Sequence, residues 1–218
     1  MYNKLVYLHE RIQNMVKRRR IGIGLYRYDR TSEERVHKAA SIAREFTDVV
    51  VIDEGEDTER RLIEIVERRE VDAVVRGTAR ATKFLKILRS KYSVSRVAVL
   101  ETYNRKLFLL SPVGVDEGRN IAEKLDLIRY SIELCELLRL PKEVAILSGG
   151  RYEDIGRDEN VDRSLATGEL LSKLSGGEHY EIRLEDAVNR SIVIAPDGIS
   201  GNLIFRALCY LGGGMEYG

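Results

Sequence analysis

Arg76, Gly77, Thr78 and Arg80 form a turn whose residue types suit the binding of an anion. The turn follows a short apolar segment, and a helix is predicted directly after it. A strand that ends in such a turn leaves free backbone N–H groups at the positive end of the helix dipole. Phosphate or carboxylate is the natural ligand there, and two arginines would add charge and bidentate hydrogen bonds. The alternative is an ordinary strand–helix turn with two solvated arginines.

Two later turns repeat this pattern of apolar strand, glycine and polar residues. One contains Ser148, Gly149 and Arg151, and the other spans 196–202. Ser200 or Asn202 could alternatively be a plain N-cap of the helix that follows. We expect the three turns to converge on one pocket for a phosphate-bearing small molecule. Its expected lining is Arg76, Gly77, Thr78, Arg80, Ser148, Gly149, Arg151, Asp197, Ser200, Gly201 and Asn202.

The segments around these turns alternate between apolar strands and amphipathic helices with a period of about 25–30 residues. This alternation predicts a right-handed, doubly wound α/β sheet, in which ligands collect at the carboxyl ends of the strands. Thr31 and Glu34 have the spacing of a capping box at the start of one helix. Further elements are predicted as a helix over 3–17, a hairpin over 94–103 and 106–110, and a long helix over 116–140.

Composition indicates a globular protein, because 44% of the 218 residues are hydrophobic and 33% are charged. The net charge of +1 argues against binding to nucleic acid or to an anionic membrane surface. The basic run 17–20 is interpreted as the end of a helix, with a nucleic-acid patch as the alternative. No apolar run reaches the roughly 18–20 residues of a membrane span, and no signal-peptide core is present, so we expect a cytoplasmic protein.

Several common kinds of site are absent from the sequence. Cys135 and Cys209 occupy apolar positions of predicted helices, which favours core thiols over a disulfide or a metal pair. The three histidines lack ligand spacing, so no metal site and no tightly bound cofactor are expected. The segment 22–24 lacks the third glycine of a dinucleotide fingerprint. Arg27–Arg30 follows the first strand where a methyltransferase that uses S-adenosylmethionine would need glycines, which disfavours intrinsic methyl transfer.

Taken in order, three segments resemble the phosphate acetyl/butyryltransferase family. They are Val-Asp-Ala-Val-Val-Arg-Gly-Thr-Ala-Arg at 71–80, Glu-Val-Ala-Ile-Leu-Ser at 143–148, and the segment 195–213 that begins Ala-Pro-Asp-Gly-Ile-Ser-Gly-Asn. The resemblance covers roughly residues 20–218. Among subfamilies, the sequence is most similar to the archaeal methanogenesis marker protein 4 group, which is described as methyltransferase-related.

The resemblance implies a two-domain, three-layer α/β/α fold like that of isocitrate dehydrogenase and phosphotransacetylase. It implies a cleft between the domains and a homodimer through the second one. On that pattern, residues 1–90 plus 200–218 form the first α/β subdomain, and 91–199 form a second, inserted subdomain.

The resemblance also implies two alternative functions for this fold. One is an acyltransferase that moves an acyl group between coenzyme A and phosphate, with Asp197 as the base. The other is a non-catalytic or regulatory protein that binds phosphate or a CoA-like ligand in a methanogen methyltransferase complex. Three departures from the family leave catalysis open. Arg76 replaces a serine, Ile87 stands where the family has a phosphate-binding arginine, and the family's serine–arginine catalytic segment does not occur before Gly218.

Overall fold

The structure is a computed structural model that describes residues 19–218. It divides into two compact units, here called unit 1, which ends at Val94, and unit 2, from Ser95 to Gly218. The helix predicted over 3–17 lies outside the described residues. No helix between residues 19 and 218 has both the length and the apolar character needed to cross a membrane.

Unit 1 is a parallel three-stranded sheet with helices on its faces. Its elements are β1 (Arg20–Gly24), α1 (Arg30–Ala43), β2 (Asp48–Ile52), α2 (Thr58–Glu67), β3 (Ala73–Val75) and α3 (Ala81–Lys91). The strand order is β2-β1-β3, with every pair parallel. The chain therefore moves outward from β1 to β2 and then crosses to the other side of β1. This change of direction confirms the doubly wound pattern and creates a switch point between β1 and β3.

Apolar side chains fill both faces of the unit 1 sheet. On one face, Val36 and Ala40 of α1 pack against Ile23. On the other face, Leu62 and Ile65 of α2 belong to a second cluster. Each fully buried Leu or Ile of this kind contributes roughly 1.5–3 kcal/mol, which is ample to hold short strands in place.

The first turn of α1 begins two residues earlier than predicted. Asp29, rather than Thr31, is the N-cap, and its carboxylate accepts a hydrogen bond from the Ser32 backbone N at 2.6 Å. The Ser32 hydroxyl lies 3.1 Å from the Asp29 backbone N and completes the capping box. Both Asp29–Ser32 and Thr31–Glu34 have the required spacing, and the structure uses the earlier pair.

Unit 2 is a six-stranded mixed sheet of order β7-β6-β8-β5-β4-β9. Its elements are β4 (Ala98–Glu101), β5 (Leu107–Ser111), α4 (Ile121–Leu138), β6 (Val144–Ile146), α5 (Glu159–Ser175), β7 (Glu178–His179), α6 (Leu184–Ala187), β8 (Ile192–Ile194), α7 (Gly198–Tyr210) and β9 (Met215–Glu216). Strands β7, β6, β8 and β5 are parallel, and β4 pairs antiparallel with both β5 and β9. The predicted β4–β5 hairpin is confirmed.

Helices cover both faces of the unit 2 sheet, which confirms the three-layer α/β/α prediction. Phe108 and Leu110 of β5 join a buried cluster with Leu184 of α6 and with Ile204 of α7. Since alternate residues of a strand point to opposite faces, Leu109 lies on the other face. Helix α4 packs against β5 and β8, and α5 packs against β6 and β7.

The division of the chain differs from the one that the family resemblance implied. We expected 200–218 to join the first subdomain, but the structure groups these residues with unit 2. The reason is direct contact: β9 pairs with β4, with Glu216 opposite Leu100. Leu208 of α7 also packs against the buried cluster that contains Leu100.

Candidate functional site

The first predicted turn is held tightly against the end of β1. Gly77 has a φ of 58°, and a Cβ atom at this position would lie only 2.1 Å from the Gly24 carbonyl oxygen. The Thr78 backbone N donates to that same oxygen at 3.1 Å. The Tyr26 backbone N donates to the Thr78 hydroxyl at 2.9 Å. Glycine is therefore required at position 77 for packing as well as for its backbone conformation.

Arg80 is bound by carboxylates of the protein itself. Its Nε and Nη2 donate to the two carboxylate oxygens of Glu59 at 2.9 and 2.8 Å, and its backbone N donates to Glu59 at 2.8 Å. Its Nη1 donates to Glu56 at 2.6 Å, and its guanidinium carbon lies 4.2 Å from the centre of the Tyr26 ring. Burial opposes ionisation of Glu59, but the hydrogen bonds from Arg80 outweigh it and lower the pKa of Glu59 to about 2.

Glu59 therefore occupies the position that the sequence-based interpretation gave to a bound anion. We expected Arg80 and the N–H groups of 77–80 to hold a phosphate. The backbone N–H of Thr78 instead donates to Gly24, that of Ala79 to the Arg76 carbonyl, and that of Arg80 to Glu59. Because Glu59 lies 21 residues before Arg80 and is fully buried, the turn sequence gave no indication of this pairing.

Arg76 differs from Arg80 because it faces an open cavity. The cavity has a volume of about 600 Å³ and lies at the carboxyl ends of β1 and β3, where the strand order switches. It is lined by Ile23, Tyr28, Asp29, Ser32, Arg35, Val36, Ala39, Val75, Arg76, Gly77 and Thr78. Arg76 and Arg35 are exposed, and neither forms an ion pair with any residue between 19 and 218.

Hydrogen bonds orient both arginines without neutralising them. The Nη1 of Arg76 donates to the Ala79 carbonyl at 2.6 Å, and the Nε of Arg35 donates to the Thr31 carbonyl at 3.3 Å. The carboxylate in the cavity lining is that of Asp29. As the N-cap of α1, it already accepts a hydrogen bond from the Ser32 backbone N. That hydrogen bond, with others from Ser32 and the charge of Arg35, lowers the pKa of Asp29. The wall therefore combines two cations that have no ion-pair partner in the described part of the chain with a carboxylate that already accepts a hydrogen bond.

Sequence-based interpretation predicted Arg76, Gly77 and Thr78 in this site but missed Arg35 and Tyr28. Residues 32, 35, 36 and 39 share one face of α1 by helical spacing, and this face lines the cavity. Arg35 could have been found from that periodicity. Tyr28 is 60% exposed and packs edge-on against Tyr26, with ring centres 4.9 Å apart.

The second turn contains a serine, a histidine and a glutamate in the arrangement of a nucleophilic triad. The Oγ of Ser148 lies 3.0 Å from Nε2 of His179, and Nδ1 of His179 lies 2.9 Å from Oε1 of Glu169. Tyr152 is hydrogen-bonded to Glu169 and lies 3.1 Å from Nδ1 of His179. His179 was not predicted to contact the turn, because it is 31 residues from Ser148.

The hydrogen bonds of this cluster favour a structural role over a nucleophilic one. Ser148 is 1% exposed, and its hydroxyl donates to the Gly150 carbonyl at 3.1 Å. The Gly149 backbone N, which would have to stabilise an oxyanion, donates to the Ser164 hydroxyl at 2.8 Å. Arg151 is exposed beside the turn, and its backbone N donates to Asp154 at 3.0 Å. The cluster thus fixes the turn between β6 and α5.

The third turn packs against the loop that follows β5. Asp197 is the N-cap of α7, and its Oδ1 accepts a hydrogen bond from the Ser200 backbone N at 2.7 Å. A Cβ atom at Gly201 would lie 1.8 Å from the Pro112 carbonyl oxygen, and Nδ2 of Asn202 donates to the Val113 carbonyl at 3.0 Å. The cap is therefore Asp197 rather than Ser200 or Asn202.

The structure brings two of the three predicted turns to one edge of unit 2. Ser148–Arg151 and Asp197–Asn202 follow the neighbouring parallel strands β6 and β8, whereas Gly77 belongs to unit 1. No group of His, Cys, Asp or Glu that could hold a metal ion was found among residues 19–218.

Comparison with known proteins identifies relatives among methanogens. The chain matches no protein-family model. It is 45% identical over 181 residues to a Methanosarcina acetivorans protein named "putative methyltransferase mtx subunit X", covering 79% of this chain and 64% of that protein. It is 34% identical over 218 residues to an uncharacterized methyltransferase of Methanopyrus kandleri, covering 91% of this chain and 85% of that protein. The chain thus spans less than two thirds of the length of the Methanosarcina relative.

More distant matches concern acyl-transfer enzymes. The chain is 24% identical over 211 residues to phosphate acetyltransferase of Rickettsia typhi, covering 81% of this chain and 60% of that protein. The crystal structure of a branched-chain phosphotransacylase from Enterococcus faecalis superposes with a TM-score of 0.66 at 18% identity, covering 91% of this chain and 89% of that one. The fold is therefore phosphotransacetylase-like, and the chain belongs to the methanogen family that includes mtx subunit X and the Methanopyrus kandleri protein.

Proposed function

We propose that this chain binds a phosphate-bearing small molecule, coenzyme A among the candidates, in the unit 1 cavity. One observation carries the proposal: Arg35 and Arg76 line a cavity of about 600 Å³ at the β1/β3 switch point, and neither has an ion-pair partner within residues 19–218. Cavities of roughly 300–1,000 Å³ are typical of small-molecule sites. Doubly wound sheets bind their ligands at this kind of crevice.

The chemistry of the lining supports an anionic ligand. Each guanidinium uses one nitrogen for a backbone carbonyl and keeps further N–H donors for a ligand. An arginine side chain can donate two parallel hydrogen bonds to the oxygens of one phosphate. These charge-assisted hydrogen bonds are stronger than those between neutral groups. The exposed ring of Tyr28 offers a flat apolar surface beside them, suited to a planar group of the ligand.

The test is titration of the full chain with inorganic phosphate and with coenzyme A, followed by calorimetry and by thermal unfolding. We expect Arg76→Ala and Arg35→Ala each to weaken binding about tenfold or more, since a hydrogen bond to a charged group contributes roughly 1.5–3 kcal/mol. Arg68→Ala removes an exposed arginine paired with Glu64 at 3.9 Å and should bind normally. Absence of binding or stabilisation by either ligand at millimolar concentration would refute the proposal.

Acyl transfer between coenzyme A and phosphate is a second proposal, separate from ligand binding in the unit 1 cavity. It is supported by the Rickettsia typhi relative named phosphate acetyltransferase and by the phosphotransacetylase-like fold. In the reaction, the CoA thiol loses its proton to a base, the thiolate attacks the acyl carbon of an acyl phosphate, and phosphate leaves. Asp197 of unit 2 is the proposed base, and the reaction is therefore proposed at the turn that contains Asp197. Asp197→Asn preserves a good N-cap and removes the basic carboxylate.

Arsenate-dependent breakdown of acyl-CoA distinguishes an enzyme from a binding protein. Turnover that is lost in Asp197→Asn would support acyl transfer. No turnover over several acyl chain lengths, together with tight binding, would favour the alternative of a regulatory subunit. The names of the Methanosarcina relatives support a place in a methyltransferase complex, which we propose to be cytoplasmic. We further propose a homodimer, which light scattering of the purified chain would test.

A further inference from the structure

His179, at the end of β7, has polar groups at both of its ring nitrogens. Its side chain is only 4% exposed. Nε2 lies 3.0 Å from the Ser148 hydroxyl, and Nδ1 lies 2.9 Å from Oε1 of Glu169. A Cβ atom at Gly168 of α5 would lie 2.5 Å from Nε2, so the ring rests directly on that helix. The position of both nitrogens is therefore fixed, and the hydrogen bonds that they make depend on which of them carries a proton.

The neighbours of Nδ1 require a proton on that nitrogen. Hydrogen bonds from Tyr152 and His179 lower the pKa of Glu169, so its carboxylate is charged at neutral pH and can only accept hydrogen bonds. The hydrogen bond to Glu169 raises the pKa of Tyr152 to about 12 and uses the one phenolic proton of Tyr152. Neither neighbour can then donate to Nδ1, which lies 3.1 Å from the Tyr152 hydroxyl. Nδ1 is therefore a donor in both charge states of the ring.

The Ser148 hydroxyl has one proton and faces two candidate acceptors. It lies 3.0 Å from Nε2 of His179 and 3.1 Å from the Gly150 carbonyl oxygen. When the ring is neutral, Nε2 carries no proton, and the Ser148 hydroxyl donates to it. When the ring is an imidazolium, Nε2–H donates to Ser148, whose own proton is then directed to the Gly150 carbonyl. Gly150 is buried, and no other hydrogen bond to its carbonyl comes from residues 19–218.

We infer that His179 is a proton-dependent switch of the turn between β6 and α5. When Nε2 takes up one proton from solvent, Ser148 keeps its own proton, and its hydroxyl donates to the Gly150 carbonyl. When Nε2 releases that proton, the hydroxyl donates to His179, and the buried carbonyl loses its donor. A buried acceptor without a donor is unfavourable, so the turn is held more tightly in the protonated state. The switch lies at the carboxyl end of β6, at the sheet edge where α/β folds bind ligands.

The charged and titratable side chains of the elements around the ring leave His179 as the switching group. They are Glu169 and Lys173 on α5, Arg151, Tyr152 and Asp154 in the turn, and Glu178 and Glu181 in and after β7; β6 has none. Within the described part of the chain, only Glu169 and Tyr152 of this set hydrogen-bond to the ring. Their pKa values are shifted away from neutrality in opposite directions. A change between about pH 5 and 8 therefore reports the charge of His179.

The test is NMR of the full chain, labelled with ¹⁵N and ¹³C and titrated from about pH 5 to 9. The His179 ring signals are assigned from their loss in His179→Gln. We expect the neutral ring to carry its proton on Nδ1, and the Gly150 carbonyl resonance to move with the same midpoint as the ring. Ser148→Ala should abolish this Gly150 change while His179 still titrates, because alanine has no proton to redirect.

Ser164→Ala is the matched control. Its hydroxyl accepts a hydrogen bond from the Gly149 backbone N at 2.8 Å on the same turn and makes none to His179 in the part of the chain that the structure describes. This variant should therefore keep the joint titration of His179 and Gly150.

Glu169→Gln tests the assignment of the Nδ1 proton. Its amide can donate to Nδ1, so the neutral ring should then also populate the form with its proton on Nε2. Four results would overturn the inference: a neutral ring protonated on Nε2 in the unsubstituted chain, a His179 that keeps one charge over the whole pH range, a Gly150 resonance that does not follow the ring, or an unchanged Gly150 response in Ser148→Ala.

Discussion

Glu59 is the residue that decides the chemistry of the first turn. Its carboxylate is fully buried and binds Arg80 through both the side chain and the backbone N. A buried carboxylate can stay charged only when hydrogen bonds and an opposite charge offset its desolvation. Glu59 meets both requirements, so the pair links α2 to the start of α3.

We expect Glu59→Gln to destabilise unit 1 by roughly 3 kcal/mol at neutral pH, because the folded state lowers the pKa of Glu59 from an ordinary 4.5 to about 2. The sign follows from that direction. A depressed carboxyl pKa gives stability that is present above about 4.5 and is lost as the pH falls towards about 2. Hydrogen exchange of α2 amides, measured for both proteins over this range, should show the difference shrinking with acid.

Glu34→Gln is the matched control for this prediction. Glu34 pairs with Arg30 at 2.9 Å on the surface of α1, and both side chains are largely exposed. Exposed pairs of this kind contribute about 0.3–0.5 kcal/mol, so little change is expected at any pH. Equal losses in the two variants would mean that burial of Glu59 does not govern its contribution.

The same residues show how far sequence alone could predict the site. Arg76 and Gly77 were predicted because a local turn pattern implies where their backbone lies. The pairing of Arg80 with Glu59 depends on a contact between elements distant in sequence. No local pattern contains that contact, so two arginines four residues apart appeared equivalent, although Arg80 is paired with Glu59 and Arg76 has no ion-pair partner among residues 19–218.

The turn between β3 and α3 depends on a close approach of two elements. Gly77→Ala would place a Cβ atom 2.1 Å from the Gly24 carbonyl oxygen and would also strain a φ of 58°. We expect a cost of more than about 3 kcal/mol, from left-handed strain and from overpacking against backbone that cannot yield. Thermal unfolding and exchange of β1 amides would measure it.

Gly55→Ala separates the two causes of that cost. Gly55 has a similar φ of 54°, but a Cβ atom there would meet nothing within 4 Å. Only the backbone strain remains, partly offset by the lower entropy of the unfolded chain, so a loss of about 1 kcal/mol is expected. If both variants lost the same stability, the contact with Gly24 would be irrelevant.

Whole elements were more predictable from sequence than their ends. The β4–β5 hairpin and α4 follow from alternation and helical periodicity, which extend over many residues. The start of α1 at Arg30 and the cap of α7 at Asp197 depend on which of several suitable side chains accepts one hydrogen bond. Such choices depend on the local geometry around the competing side chains, which a residue pattern does not encode.

At the scale of the whole molecule, the order of motifs predicted the fold class but not the grouping of α7. The family resemblance implied that α7 joins the first subdomain, and motif order contains no information on which sheet a terminal helix packs against. Ile204, Phe205 and Leu208 of α7 pack instead on the cluster that contains Phe108. The strand β9 then closes the same sheet next to β4.

Phe108→Ala tests this grouping. Phe108 is fully buried beneath α7, and truncation of a buried phenylalanine costs roughly 3–5 kcal/mol. We expect the α7 amides to lose hydrogen-exchange protection together with those of β5 and β8, because all three contribute to one buried cluster. Leu62→Ala, a comparable truncation in the unit 1 core, should lower the protection of α2 and β2 instead. If the α7 amides lost protection in Leu62→Ala rather than in Phe108→Ala, the stability of the helix would depend on unit 1, as the family resemblance implied.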